Sequence, residues 1–138
     1  MSLVGFPLLL IPFAVYNIIA FLMPGVGWTG PVTGMQMASG VEWTMSPGDI
    51  LIACSVLLLF GEMLKSTRIG MRTVIDHGLS MLLFVAMIVE FILVKQAATA
   101  TFFLLLVISA IDVLAGFAVT LRSAQRGVTI DTDHIPTS

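Results

Sequence analysis

Five side chains put titratable or strongly polar groups into apolar surroundings and so could do chemistry: Asp112, Glu90, Glu62, His77 and Asn17. Asp112 lies near the middle of Phe102–Leu121, FFLLLVISAIDVLAGFAVTL, where it is the one charge-capable residue. A run of about 20 such residues, at about 1.5 Å rise each, spans the ~30 Å hydrocarbon core of a bilayer. An acid at that depth costs roughly 2.5–3.5 kcal/mol on insertion-type scales, so Asp112 is expected to face other helices. Protonatable groups at successive depths are the chemistry of a proton or ion pathway. The same groups also suit interhelical hydrogen bonds that fix register, each contributing about 0.6–2 kcal/mol. The structural reading is preferred for Glu62, because Lys65 stands three residues on. It is preferred for His77 too, since a histidine near a helix start is often simply solvated. Asp112 makes the strongest case for function, because its position is the most costly.

The neighbours of these residues form stripes. Ser109, Asp112, Gly116 and Thr120 step by 3, 4 and 4, which is one helix face. Asp76, Ser80, Leu83, Met87 and Glu90 step by 4, 3, 4 and 3, a second mixed seam. Gly61 and Gly116 read as points of close helix packing rather than ligand sites.

No enzymatic constellation is present in the sequence, and no cofactor is implied. His77 and His134 with the single Cys54 do not make a metal site, and Cys54 sits in an apolar run that keeps a thiol protonated. Serine, histidine and aspartate occur without a nucleophile-elbow context. The glycines of residues 25–34 are not followed by Lys-Ser or Lys-Thr, so they cradle no phosphate. The nine methionines are scattered, with only Met35 and Met37 close together outside the apolar runs, and they read as packing residues.

Composition sets the elements that must position these groups. The chain has 138 residues, 58% hydrophobic and 10% charged, where a soluble domain would carry about 25% charged. Mean hydropathy is +1.08. A net charge of −2 argues against a nucleic-acid partner. The fold class that follows is an all-α membrane protein: a four-transmembrane-helix bundle over residues 1–121, with spans at about 3–23, 47–64, 74–94 and 99–121. The first span has no basic n-region and no small-residue cleavage site, so it reads as a retained helix, kinked near Leu8–Pro12 by Pro12.

Residues 24–46 hold five glycines, two prolines and both tryptophans, with no Lys or Arg. Val32–Met37 and Val41–Met45 flank Ala38-Ser39-Gly40, the pattern of a small hairpin, with an irregular Gly-rich loop as the alternative. Trp28 and Trp43 suit a bilayer–water boundary and are the candidate interaction residues of this loop. Ser46-Pro47-Gly48-Asp49 has a capping-box form with Pro at the first helical position, so the second span starts near Pro47. Thr73-Val74-Ile75-Asp76 repeats the form and is expected to open the third span. Residues 122–138 read as a polar, disordered tail.

Lys65, Arg68, Arg72, Arg122 and Arg126 fall on one side of a four-span chain, and Lys95 alone on the other. The positive-inside rule then places both termini in the cytoplasm and residues 24–46 outside a bacterial inner membrane. Matching depths gives two polar layers, Asn17 with Glu90 outside and Glu62 with His77 inside, and Asp112 between them.

Four short helices resemble the small multidrug-resistance exporters in size alone, since the first span holds no acid. An outer β-element after the first helix resembles the claudin architecture, with Gly27-Trp28 but no cysteine pair. Ser46-Pro-Gly-Asp49, Phe60-Gly-Glu-Met-Leu-Lys-Ser-Thr-Arg68, Asp76-His-Gly-Leu-Ser80 and Ile111-Asp-Val-Leu-Ala-Gly116 together resemble a group of small four-helix bacterial inner-membrane proteins. That resemblance covers nearly the whole chain and implies a fold and a membrane without an activity. The expected function is a structural or accessory subunit, in a homo-oligomer or beside a larger membrane partner. A small proton-linked transporter or channel using Asp112 is the alternative, and a lipid- or quinone-binding module the third.

Overall fold

The computed structural model describes residues 7–66 and 71–133. In chain order these form α1 (Leu10–Leu22), β1 (Thr33–Gln36), β2 (Glu42–Met45), α2 (Pro47–Ser66), α3 (Met71–Leu93), a 3-10 turn at Lys95–Ala97 and α4 (Ala100–Asp133). The windows Pro47–Leu64, Val74–Leu93 and Ala100–Ala118 are long and apolar enough to cross a membrane. The 13 residues of α1 are a shorter apolar helix, about 20 Å at 1.5 Å per residue.

α4 is the element the others share. It packs along both α2 and α3 and also touches α1. Its buried residues, Phe102, Leu105, Ile108, Ser109 and Asp112, recur at helical spacing. They meet Leu51, Ser55, Leu59 and Glu62 of α2, and Ser80, Leu83 and Met87 of α3, which form matching buried stripes. The outward faces are apolar and exposed: Leu57 is 73% exposed, Ile92 71% and Leu114 66%. A soluble domain hides such residues, whereas lipid leaves no reason to do so.

Local chemistry explains most boundaries. Ser46 N–H donates to Asp49 Oδ2, and Asp49 N–H donates to Ser46 Oγ, both at 3.1 Å, so α2 opens on a reciprocal capping box. Thr99 caps α4 by accepting from Phe102 N–H at 3.1 Å. β1 and β2 pair antiparallel with Met35 opposite Trp43 and Gln36 opposite Glu42. Gly40 closes the connecting turn at φ +91°, donating to Met37 O at 2.9 Å, while Met37 N–H reaches Val41 O at 2.9 Å. A residue with a side chain is strained at that φ.

Four expectations are corrected. α1 begins at Leu10, after a turn in which Leu10 and Ile11 donate to Pro7 O and Leu8 O, and residues 3–6 lie outside the described residues. Pro12 therefore occupies the first helical turn, where its missing N–H is one of the groups that have no intrahelical partner anyway, and it breaks nothing. α3 begins at Met71, so Thr73 lies inside it rather than at its start. Met and Arg are good helix formers, and propagation through them continues once a helix exists. α4 runs on to Asp133, so residues 122–133 are helical rather than a disordered tail. No proline interrupts them, and each added residue gains a hydrogen bond without a new nucleus. Met35 and Met37 are exposed on the hairpin rather than packed in the chain's own core.

Candidate functional site

The polar groups of the bundle fall at three levels. At the hairpin end, Tyr16 is fully buried where α1, the 3-10 turn and the start of α4 meet. Its O–H donates to Gln96 O at 2.8 Å, and its oxygen lies 2.7 Å from Thr99 Oγ1. With the tyrosine proton on Gln96, the Thr99 hydroxyl is the donor of that second bond. A chain of bonds thus runs from Phe102 N–H through Thr99 and Tyr16 to a backbone carbonyl. Trp28 stacks on the Tyr16 ring, with centroids 4.4 Å apart and planes 5° apart. Phe102 meets the same ring edge-on at 5.0 Å. Phe91 and Phe13 lie 6.0 and 6.2 Å from Phe102.

Asn17 and Glu90 are brought together at this level. Asn17 Nδ2 donates to Phe13 O at 2.9 Å and to Glu90 Oε2 at 3.4 Å. The second is a long bond from one helix to another. Gly48 completes the level by close approach. Its N–H donates to Trp28 O at 3.1 Å, and a Cβ there would stand 2.4 Å from Thr101 Oγ1. Trp28 is therefore committed inside the molecule, while Trp43 remains 50% exposed on the hairpin.

Asp112 occupies the middle level with Ser80 and Ser109, all buried. Asp112 is not without a partner. Ser55 is buried on α2 and returns its hydroxyl proton to Leu51 O at 2.7 Å, one turn back on its own helix.

At the far level, Glu62 is 4% exposed and accepts a hydrogen bond from Leu8 N–H at the entry to α1. The Leu8 amide precedes the first turn of α1, lacks a helical partner, and takes the carboxylate inward. Leu8 also covers Gly61, whose Cβ would lie 3.0 Å from Leu8 Cδ1. The His77 ring packs on α4, 6.5 Å from the Phe117 ring, and its Nδ1 lies 2.6 Å from where a Gly116 Cβ would stand. Among the described residues, His77 Nδ1 is buried without a hydrogen-bond partner. Glu62 and His77 thus share a depth. Thr120 follows on α4, and His134 lies outside the described residues.

Cys54 is free and exposed rather than enclosed. It lines an apolar groove of about 570 Å³ between α1 and α2. No group of three His, Cys, Asp or Glu among the described residues could hold a metal ion. Sequence reasoning missed the Tyr16 node. Its signal was present as a tyrosine in an otherwise apolar helix, which needs a partner for its hydroxyl, but that partner is 80 residues away in the chain. No family model, no curated protein and no solved structure matches this chain.

Proposed function

We propose that the chain is a multi-pass protein of a bacterial inner membrane, crossing four times with α1 as the first crossing, and that it acts as a structural or accessory subunit. It works in a homo-oligomer or beside a larger membrane partner. The observation that carries this reading is the separation of the polar levels. Counted at 1.5 Å per residue from the hairpin end, Glu90 lies about 5 Å down its helix and Asp112 about 18 Å. Leu51, Met87 and Leu105 are buried about 6–9 Å down, below Glu90 and above the buried hydroxyls of Ser55 and Ser109 at about 12 and 14 Å. Above and below them, Tyr16, Asn17, Glu90 and Glu62 make hydrogen bonds that join one element to another. Such bonds hold register, and a continuous relay needs polar groups where this bundle has hydrocarbon.

The hairpin supplies a surface for association. Met35, Met37, Val41 and Trp43 fall on one face by register and alternation, and all four are exposed. The test is the state of the protein extracted in mild detergent at native-like lipid ratios. An oligomer, or a larger protein held in fixed ratio, is the expected result. A clean monomer with nothing bound counts against the subunit role.

One observation favours a second reading, a proton-linked transporter or channel. His77 Nδ1 is buried without a partner against Gly116, one turn along α4 from Asp112. Two titratable groups one turn apart are a start of a pathway. Flux measurements decide between the readings.

A further inference from the structure

We infer that the groove between α1 and α2 is a binding site for one acyl chain of an uncharged or zwitterionic membrane lipid. The inference rests on the membrane reading above and adds a ligand to it. α1 contributes the wall from Ile11 to Ile19, and α2 the wall from Ile50 to Leu58, while Val26 and Val32 close the hairpin end. Nothing in this lining is charged, and Cys54 supplies its single side-chain heteroatom.

The groove follows from how α1 is held. Its entry is tied to α2 through Leu8 and Glu62, and its middle to the 3-10 turn and α4 through Tyr16. Neither tie fills the space facing the apolar side of α2, so the groove is a built feature of the fold. Its walls carry β-branched residues and Pro12, which have few rotamers to lose when something packs against them.

Size selects the occupant. From Pro47 to Leu58 is 11 steps, about 16 Å along α2, so a volume of about 570 Å³ gives a mean cross-section of about 35 Å². A helix about 10 Å across needs about 80 Å², so less than half of its section would be enclosed. An extended alkyl chain fits the groove. Against a smooth helix such a chain touches protein on one side. Here it touches two helices and the closing loop, and these small dispersion gains add along its length.

Charge selects the headgroup. Residues 24–46 contain no Lys, Arg or His, and Glu42 and Asp49 stand in or beside them. Lys95 is the single basic residue at that end of the bundle and is outnumbered by these two acids, so an anionic headgroup is repelled on balance, whereas a zwitterionic or uncharged one is tolerated.

The experiment is native mass spectrometry of the full chain released from mild detergent, after purification with a mixture of zwitterionic and anionic phospholipids. One zwitterionic phospholipid per chain is expected to survive activation that strips the others. Val15→Trp fills the groove from α1 and should abolish that adduct. Ile92→Trp, on an exposed face of α3 away from the groove, should keep it. Alkylating the native Cys54 with a benzyl maleimide should abolish it without any substitution. Wild-type protein with no selectively retained lipid overturns the inference. So does an adduct unchanged by both Val15→Trp and Cys54 alkylation, preferential retention of the anionic lipid, or a changed oligomeric state on groove filling with the lipid kept. Alkaline extraction of the membranes separates the two levels of failure. A chain released by alkali sinks the membrane reading itself, while a chain that stays in the membrane yet holds no lipid sinks the acyl-chain site alone.

Discussion

A buried hydroxyl is tolerated only with its partners, and Tyr16 has two, one on the 3-10 turn and one capping α4. Tyr16→Phe keeps the ring stack on Trp28 but strands the Gln96 carbonyl and the Thr99 hydroxyl. The expected cost is about 1–3 kcal/mol, read as a lower melting temperature in detergent, with Trp28 fluorescence as a local reporter. A variant as stable as the wild type would remove the node from the account of the fold. Asp112 divides the two functional readings. Asp112→Asn keeps size and hydrogen-bonding capacity and removes the charge. If Asp112 fixes register, Asn is tolerated or stabilises, because the desolvation cost of a carboxylate is gone. Asp112→Leu is then the damaging change, since it leaves the groups around Asp112 unsatisfied. Proton or cation flux in proteoliposomes supplies the other half of the test. Wild-type flux equal to empty liposomes rejects the transporter, and flux lost in Asn at unchanged melting temperature rejects a purely structural role.

At the scale of elements, what was legible in the sequence was what is local. Ser46-Pro47-Gly48-Asp49 specifies its helix start by contacts within four residues, and both reciprocal bonds form. Ser46→Ala should destabilise the start of α2 by about 0.5–2 kcal/mol in thermal unfolding. Gly48→Ala should cost more, about 1–3 kcal/mol as an overpacked contact, because a Cβ there would stand 2.4 Å from Thr101 Oγ1 and 2.8 Å from the Trp28 carbonyl oxygen at once. Equal melting of the two variants would show that Thr101 moves aside. The hairpin was legible for the same reason, since Gly40 marks the residue of its turn that takes a positive φ. Thr73–Asp76 carries the same four-residue form but lies inside α3 rather than at its start, because a capping form is also an acceptable helix interior when residues upstream already propagate a helix. The helical stretch 122–133 escaped notice similarly: its polar composition suggests disorder, and only its attachment to a formed helix overrides that. Among the site residues, the Asn17–Glu90 pair could be reached by matching depths. The bond from Leu8 to Glu62 could not, because it depends on where α1 begins, and that is set by packing rather than by a cap.

At the scale of the molecule, the open question of topology is whether α1 crosses. α2, α3 and α4 alternate in direction, so the 65–72 connection and the end of α4 share one side, and the hairpin and Lys95 share the other. On the reading proposed above, five basic residues against one favour the cytoplasm for the first side. That assignment does not depend on α1. The position of the N-terminus does. At about 20 Å, α1 alone falls short of a ~30 Å core, so a crossing needs more chain than α1 itself or a locally thinner bilayer. The tie from Leu8 to Glu62 favours crossing, because Glu62 lies 15 residues into α2, about 22 Å from the hairpin end. Reporter fusions at three sites settle it. Fusions at the C-terminus and at the N-terminus are expected to report cytoplasm, and an insertion near Ser39 the opposite side. A C-terminal reporter on the outside would overturn the whole topology. An N-terminal reporter on the outside, with the C-terminus still in the cytoplasm, would mean three crossings, with α1 lying against α2 and α4 without completing a fourth.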